Sequence, residues 1–309
     1  MGGGLSTRRA IAAAPFAATR TTRATPARAG VAAPPATGAD VDPSDDDGSG
    51  WDGSGGDFVQ SLARGLAAIR AFDAAHPAQT LSDVARRAGL SRATARRVLH
   101  TLVGLGYADS DGRLFRLRPK VLELGFAYLH GTGLWGAAQP PMVELVERIH
   151  ESCSAAVLDG DEIVYVARVP TRTRIMSITL GLGSRLPAHL TSMGRVLLAA
   201  LPPAELDARL AAIARARPAA GRAPPDADAL RRAIAKVRAQ GFAILDQELE
   251  PGLRSVAVPV PGPGGAVVAA LNVGTHASRV TLEDLKARIL PALRETAESV
   301  SRAMGAVPG

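Results

Sequence analysis

The chain has 309 residues, 47% of them apolar and 21% charged, with a formal charge of +7; domains mostly fall near one to two hundred residues, so two folded units and a tail are expected. No stretch of about twenty residues is continuously apolar, so no spanning helix and no membrane partner are expected. A single cysteine, Cys153, excludes an internal disulfide or a multi-cysteine metal site and suits the cytoplasm, the expected location. The charge is unevenly divided: residues 1–39 hold five arginines and no acid, residues 40–57 seven aspartates and no base, and residues 58–131 eleven bases against five acids. Excess arginine in a folding segment is what a phosphate backbone requires, although a generally cationic surface gives the same count.

Residues 1–56 are rich in Ala, Thr, Pro, Gly and Asp without sustained apolar periodicity, and are expected to form a disordered tail. Arg8 and Arg9 ahead of Ala10–Ala18 share features with a twin-arginine export signal, and the acid-free start with a transit peptide. The apolar run is short, mostly alanine and broken by Pro15. A tail, or a start codon placed too far upstream, is the expectation.

From Phe58 the pattern becomes helical, with Leu62, Leu66, Ile69 and Phe72 on one face before Pro77. Leu81, Val84, Ala85 and Ala88 predict a second short helix stopped by Gly89, and Ser91 caps a third from Arg92 to about Val103. Tyr107–Asp109 and Arg113–Leu117 bracket Ser110-Asp111-Gly112 as a hairpin, the candidate wing. Val121–Leu129 predicts a connecting helix, and Met142–Ile149 another that starts after Pro140 and Pro141.

Beyond Ser154 short β-rich runs alternate with helices, which predicts an α/β domain. The strand candidates are Ala155–Leu158, Glu162–Arg168, Arg174–Leu180, Phe242–Asp246, Ser255–Val260 and Val267–Val273. The helix candidates are Ser192–Leu201, Pro203–Ala214, Asp226–Gln240 and Leu282–Met304. The expected organisation is a tail at 1–56, a first folded unit at 57–118, a connecting helix at 119–131 and a second, α/β unit at 132–305.

The spacing from Leu81 to Ser91, with a small Ala85 where helices approach and Gly89 at the turn, is that of a helix-turn-helix. In the helix that follows, Ala95, Val98, Leu99 and Leu102 share one face, which directs Arg92, Ala93, Arg96, Arg97 and His100 elsewhere. Arginine bonds bidentately to guanine or phosphate, and Ser91 and Thr94 near the helix start can add phosphate contacts. Arg113 and Arg116 on the wing suit phosphate or the minor groove. A solvated helix face is the alternative for any one of these arginines; three together after such a turn favour double-stranded promoter DNA as partner.

On these residues, positions 58–130 resemble the DNA-binding domain of the IclR family of bacterial regulators. Leu186–Ala199, containing Pro187-Ala188-His189-Leu190-Thr191-Ser192-Met193-Gly194, and Asp246–Ala257, containing Glu250-Pro251-Gly252-Leu253-Arg254-Ser255, resemble its effector-domain motifs. With Arg174-Ile175-Met176-Ser177 they resemble the branch that controls protocatechuate, 4-hydroxybenzoate and β-ketoadipate catabolism. The resemblance covers roughly residues 57–305. It implies a winged helix-turn-helix joined by a helix to a GAF-like α/β effector domain, homodimers that pair into tetramers, and a small aromatic or dicarboxylic acid as effector. A regulator acting at promoters also makes RNA polymerase a candidate partner.

By the same resemblance the pocket lies between the sheet and the segment Ser192, Met193 and Gly194. Leu186, Leu253, Ile175 and Ile178 would form apolar walls, and the N–H and hydroxyl of Ser192, Ser255 and Asn272 would supply directional bonds. Asp246 is a candidate contact or a loop cap. Arg172, Arg174 and Arg185 are candidates to neutralise an acid.

No catalytic residue, metal site or cofactor is expected. The six histidines lack H-E-x-x-H spacing, and Cys153 lacks a motif partner. Gly131-Thr132-Gly133-Leu134-Trp135-Gly136 fits G-x-G-x-x-G but follows a predicted helix instead of a strand, which excludes a dinucleotide site. Asp159, Gly160, Asp161 and Glu162 read as a hairpin turn rather than a metal site. The expected function is an effector-responsive transcriptional regulator; the rival is an enzyme acting on a small organic acid, with the helix-turn-helix as an interaction module.

Overall fold

A computed structural model describes residues 58–171, 180–215 and 226–306. The tail, the strand placed from Arg174, and Arg172, Arg174, Ile175 and Ile178 lie outside these residues.

The N-terminal part is three helices and a small sheet: α1 Gln60–Arg70, β1 Ala78–Thr80, α2 Leu81–Arg87, α3 Arg92–Gly104, β2 Ala108–Ser110 and β3 Leu114–Leu117. Ala68, Ala71, Val84, Leu99, Leu102, Ala108 and Phe115 form its core. β2 and β3 pair antiparallel as the predicted wing, and β1, absent from the sequence reading, pairs with the other edge of β3. Three residues carry too little periodicity to mark a strand; β1 exists because β3 offers it a partner. Thr80 ends β1 and caps α2 through a reciprocal pair, its hydroxyl accepting the Asp83 N–H at 3.2 Å while the Asp83 carboxylate accepts the Thr80 N–H at 3.4 Å.

The predicted apolar stripe of α1 divides. Ile69 and Phe72 pack on the core, but Leu62 and Leu66 are 62% and 47% exposed, because Ala68 and Ala71 take the contact with α2 and α3. A second exposed apolar stretch follows in α4, Leu122–Gly131, whose Leu122, Leu124, Phe126 and Tyr128 all face solvent.

α5 spans Leu134–Ile149 and corrects the reading that it begins after the prolines: Pro140 and Pro141 lie inside it. Neither can donate to the carbonyl one turn back, normally a strong reason for a helix to end. Here Leu134, Ala137, Ala138 and Met142 on both sides of the break are buried in one core, and that packing holds the axis together.

The C-terminal sheet has six strands in the order β6-β5-β4-β9-β8-β7, all neighbours antiparallel: β4 Ser152–Asp159, β5 Glu162–Val169, β6 Arg185–Pro187, β7 Ala243–Asp246, β8 Leu253–Pro261 and β9 Val267–His276. β4 and β9, the ends of two hairpins, meet at its centre. Alternation sends Cys153, Ala155, Val256, Val258, Leu271 and Val273 to one face, covered by α5 and by the C-terminal helical run α9 Leu282–Asp284, a π-turn Leu285–Ile289 and α10 Leu290–Ala306. Ala156, Ile163, Tyr165, Ala257 and Ala270 go to the other, covered by α6 Ser192–Ala200, α7 Pro203–Arg215 and α8 Ala227–Gln240. The fold is a winged helix-turn-helix followed by a helix–sheet–helix α/β domain.

Asp246 lies on the α5/α10 side, sharing that face with Ile244. Both its carboxylate oxygens accept from Arg254 at 2.9 Å, and Arg254 Nη1 donates to the Val280 carbonyl at 2.5 Å. The guanidinium holds the Asp246 carboxyl below its ordinary value. Asp246→Ala leaves a buried Arg254 without its counterion and is expected to cost about 1–3 kcal/mol, less than a fully buried pair because Asp246 is partly exposed. Urea unfolding monitored by circular dichroism checks this. Since the native carboxyl is the stronger acid, the deficit is full above the ordinary aspartate value of 3.8 and narrows as falling pH protonates the native group.

Candidate functional site

The helix-turn-helix is built by short backbone closures. Ala88 N–H donates to the Val84 carbonyl at 2.9 Å and Leu90 N–H to the Ala85 carbonyl at 2.8 Å, with Gly89 between them at φ +62°, where a side chain would be strained. Arg87 is structural: it donates to the Ala71 carbonyl at 2.9 Å and pairs with Asp73 at 2.5 Å, locking α2 to the end of α1. Ser91 then caps α3, its hydroxyl accepting the Thr94 N–H at 3.2 Å.

On α3, Ala95, Leu99 and Leu102 are buried, while Arg92, Ala93, Arg96, Arg97 and His100 are exposed as the spacing implied. Arg92, Arg96 and Arg97 form no ion pair with any carboxylate among the described residues, so three cations stand on one face. His100 packs edge-on against Phe115 of the wing, ring centroids 6.1 Å apart, joining the reading helix to the hairpin.

At the wing tip Asp111 accepts the N–H groups of Leu114 at 2.7 Å and Arg113 at 3.0 Å, and pairs with Arg116 at 3.1 Å. These bonds, the backbone ones foremost, lower its pKa to about 2. Arg116 is therefore partly committed to shaping the turn, whereas Arg113 offers its side chain outward.

The second constellation lies on the α6-facing side of the C-terminal sheet. Thr191, not Ser192, caps α6, its hydroxyl accepting the Gly194 N–H at 3.0 Å. Ser192 is then the first helical residue, and its N–H and that of Met193 lack acceptors within the helix. Ser192 is 1% exposed, yet its hydroxyl has no partner among the described residues, and the Oδ1 of Asn272 is likewise buried and unpartnered among them. Buried polar atoms rarely go unmatched, and such orphans mark places where a ligand or water completes the bonding. Leu253 and Ser255 share this face with Asn272, Ser255 lying opposite Gly274. Leu186 packs against the same core, and Met193 is fully buried in it.

Two sequence candidates are redirected. Asp246 is on the opposite face and bound to Arg254, because its position in β7 is one residue out of phase with Ala243 and Leu245. Arg185 is on the exposed edge strand, one residue out of phase with Leu186, and is bound to Asp159 at 2.7 Å and Glu162 at 2.6 Å. The same two acids flank the tight β4–β5 turn, in which Gly160 has φ +63°. The sequence reading missed Arg168 and Ser154, which face the same side as Asn272; their alternation with Ala167 and Ala155 was legible, but the bulge that restores their common face was not.

A glycine is obligatory at position 194. A Cβ there would sit 2.1 Å from the Ala188 carbonyl oxygen, so the start of α6 rests directly on the preceding backbone.

A basic reading helix beside a wing, followed by a domain with buried unmatched polar groups, defines a DNA-binding regulator with a ligand-sensing module. The family described as the IclR helix-turn-helix domain matches residues 61–112, and that described as the bacterial transcriptional regulator IclR C-terminal matches residues 126–302. The chain belongs to the IclR family of transcriptional regulators. It is 49% identical over 238 residues to the Pca regulon regulatory protein of Pseudomonas putida, covering 77% of this chain and 81% of that one. It is 35% identical to the p-hydroxybenzoate hydroxylase transcriptional activator of Acinetobacter baylyi, covering 79% and 91%. Among solved structures, an IclR homologue of Microbacterium hydrocarbonoxydans complexed with 4-hydroxybenzoate matches with a TM-score of 0.69 at 27% identity, over 80% of this chain and all of that one.

Gly194→Ala must displace the Ala188 backbone or the helix start, and is expected to destabilise the domain at the upper end of the range of about 1–3 kcal/mol typical of overpacking. A thermal melt followed by circular dichroism measures the loss.

Proposed function

We propose that this chain controls genes for aromatic-acid catabolism, binding promoter DNA through the winged helix-turn-helix of residues 57–118 and a small carboxylate through residues 132–305. The observation that carries the DNA part is the row of uncommitted arginines, Arg92, Arg96 and Arg97, beside an ordered wing. A helix in the major groove brings such side chains to guanine edges or phosphate, with Ser91, Ala93, Thr94, His100, Arg113 and Arg116 around them. The effector part is supported by the unmatched Ser192 and Asn272 atoms and by relatives whose names refer to the Pca regulon and p-hydroxybenzoate hydroxylase. The acids to test are 4-hydroxybenzoate, protocatechuate and β-ketoadipate. Such a regulator works in the cytoplasm, and no helix among the described residues is long and apolar enough to cross a membrane.

The reading is of a regulator and not of an enzyme. Burial pushes the Cys153 thiol up to about 12, removing it as a nucleophile at neutral pH. No group of three or more His, Cys, Asp or Glu among the described residues is placed to hold a metal.

Operator binding is expected to weaken steeply with salt as phosphate contacts release counterions. The triple variant Arg92→Ala, Arg96→Ala, Arg97→Ala should lose specific binding, each base-reading arginine accounting for about 1–3 kcal/mol. Footprinting on the promoter of the neighbouring genes, with fluorescence anisotropy at several salt concentrations, tests this; unchanged affinity in the triple variant would remove α3 from the groove. Addition of the effector acid should shift operator affinity or transcription from that promoter, with no turnover of the acid.

The functional unit is a homodimer or a tetramer made of two dimers, since paired half-sites multiply the specificity of one small reading head. Exposed Leu62 and Leu66 on α1 and Leu122, Leu124, Phe126 and Tyr128 on α4 supply apolar surface for pairing. Multi-angle light scattering is expected to give at least a dimer for the native chain and a lower mass for Leu124→Glu with Phe126→Glu; a native monomer both free and on DNA would refute this assembly.

A further inference from the structure

On the α6-facing side of the sheet, one register row runs from strand to strand: Arg168 of β5 opposite Ser154 of β4, Ser154 opposite Asn272 of β9, and Asn272 opposite Ala257 of β8. Arg168 is half-buried, and its Nη1 donates to the hydroxyl of Ser154 at 3.1 Å; Ser154 is 2% exposed. Arg168 has no ion pair with any described carboxylate. Several arginines of this domain are paired with carboxylates: Arg185 with Asp159 and Glu162, Arg195 with Glu248, Arg254 with Asp246, Arg279 with Glu151. The strand positions of this face in β4, β5, β7, β8 and β9 include no Asp or Glu. The Asp and Glu residues of these strands, Asp159, Glu162 and Asp246, alternate to the opposite face.

A guanidinium drawn partly out of water without a counterion is costly, and an entering carboxylate offsets that cost with charge-assisted bonds. We infer that Arg168 is the carboxylate anchor of the effector site, whereas Arg185 is already tied to Asp159 and Glu162. The inference rests on the effector reading above and specifies its ligand. Neighbouring strands are about 5 Å apart, so Asn272 stands two strands from Arg168 with Ser154 between. The unpartnered Asn272 Oδ1 is an acceptor and requires a donor. The ligand class is therefore a compact organic anion carrying a hydroxyl roughly one six-membered ring away from its carboxylate, with the Ser192 hydroxyl available to either end. Such a molecule would meet Arg168 and Asn272 together, supplying a counterion to the first and partners to the Asn272 and Ser192 oxygens that are unmatched among the described residues.

Isothermal titration of the full chain with 4-hydroxybenzoate and with its uncharged isostere 4-hydroxybenzamide tests the anchor. The native protein is expected to prefer the acid at least about tenfold, the scale of one charge-assisted contact. Arg168→Met should abolish that preference by weakening the acid while leaving the amide unchanged, and Arg168→Lys should restore part of it. Where Arg168→Met does not melt cooperatively, Arg168→Gln decides the same question, since it retains a donor toward Ser154 without the charge. An acid-to-amide ratio in these neutral variants equal to the native ratio would overturn the anchor and leave the effector reading intact. Should the native chain bind none of 4-hydroxybenzoate, protocatechuate and β-ketoadipate, the effector reading itself falls, and the anchor with it.

Discussion

The antiparallel pairing of β4 with β9 is the interaction on which the C-terminal domain depends. Each strand belongs to a hairpin of its own, and their contact joins two hairpins far apart in the chain into one six-stranded sheet. Because successive side chains alternate, this single register assigns Cys153, Ala155, Leu271 and Val273 to the α5/α10 core and Ala156 and Ala270 to the α6 core. A slip of one residue would exchange the two sets. Both faces are covered, so the central strands are nearly continuous apolar runs, and polar residues in them stand out as exceptions with a cost.

Those exceptions are concentrated. Ser154, Arg168 and Asn272 form adjacent cells of one row, and Ser192 begins the helix that lies over the same face. The tight seat of Gly194 on the Ala188 carbonyl brings that helix start close to the backbone beneath it. On the opposite face, by contrast, Arg254, Asp246 and the Val280 carbonyl satisfy one another. The two polar clusters therefore differ in kind: one is closed and holds the fold together, and the other keeps oxygens of Ser192 and Asn272 without partners among the described residues.

In the N-terminal part the same distinction separates two sets of arginines. Arg87 is bound to Asp73 and to the Ala71 carbonyl and fixes α2 against α1, whereas Arg92, Arg96 and Arg97 have no counterion among the described residues and stand on the outer face of α3. The unburied leucines of α1 and the exposed apolar residues of α4 are a further uncovered surface among the described residues.

What the amino-acid sequence by itself determined is local. Helix starts and stops follow from Ser91, Gly89, Gly241 and the 3.6-residue apolar spacing, and the wing and the β4–β5 turn follow from Asp111-Gly112 and Asp159-Gly160, because caps and turns are set by residues within a few positions of one another. The basic face of α3 was legible for the same reason. Tertiary structure decided everything that depends on a distant partner. β1 and β6 are three-residue strands that exist only because β3 and β5 have free edges. α5 continues through two prolines because residues on both sides are buried in the same core. The bulge at Ala155/Ala156 sets which side of the sheet Arg168 joins, and the phase of β7 takes Asp246 away from Ser192 and Asn272. Which arginine lacks a counterion is likewise a property of the assembled fold, since it depends on carboxylates that approach from other strands and helices and not on the residues beside it in the chain.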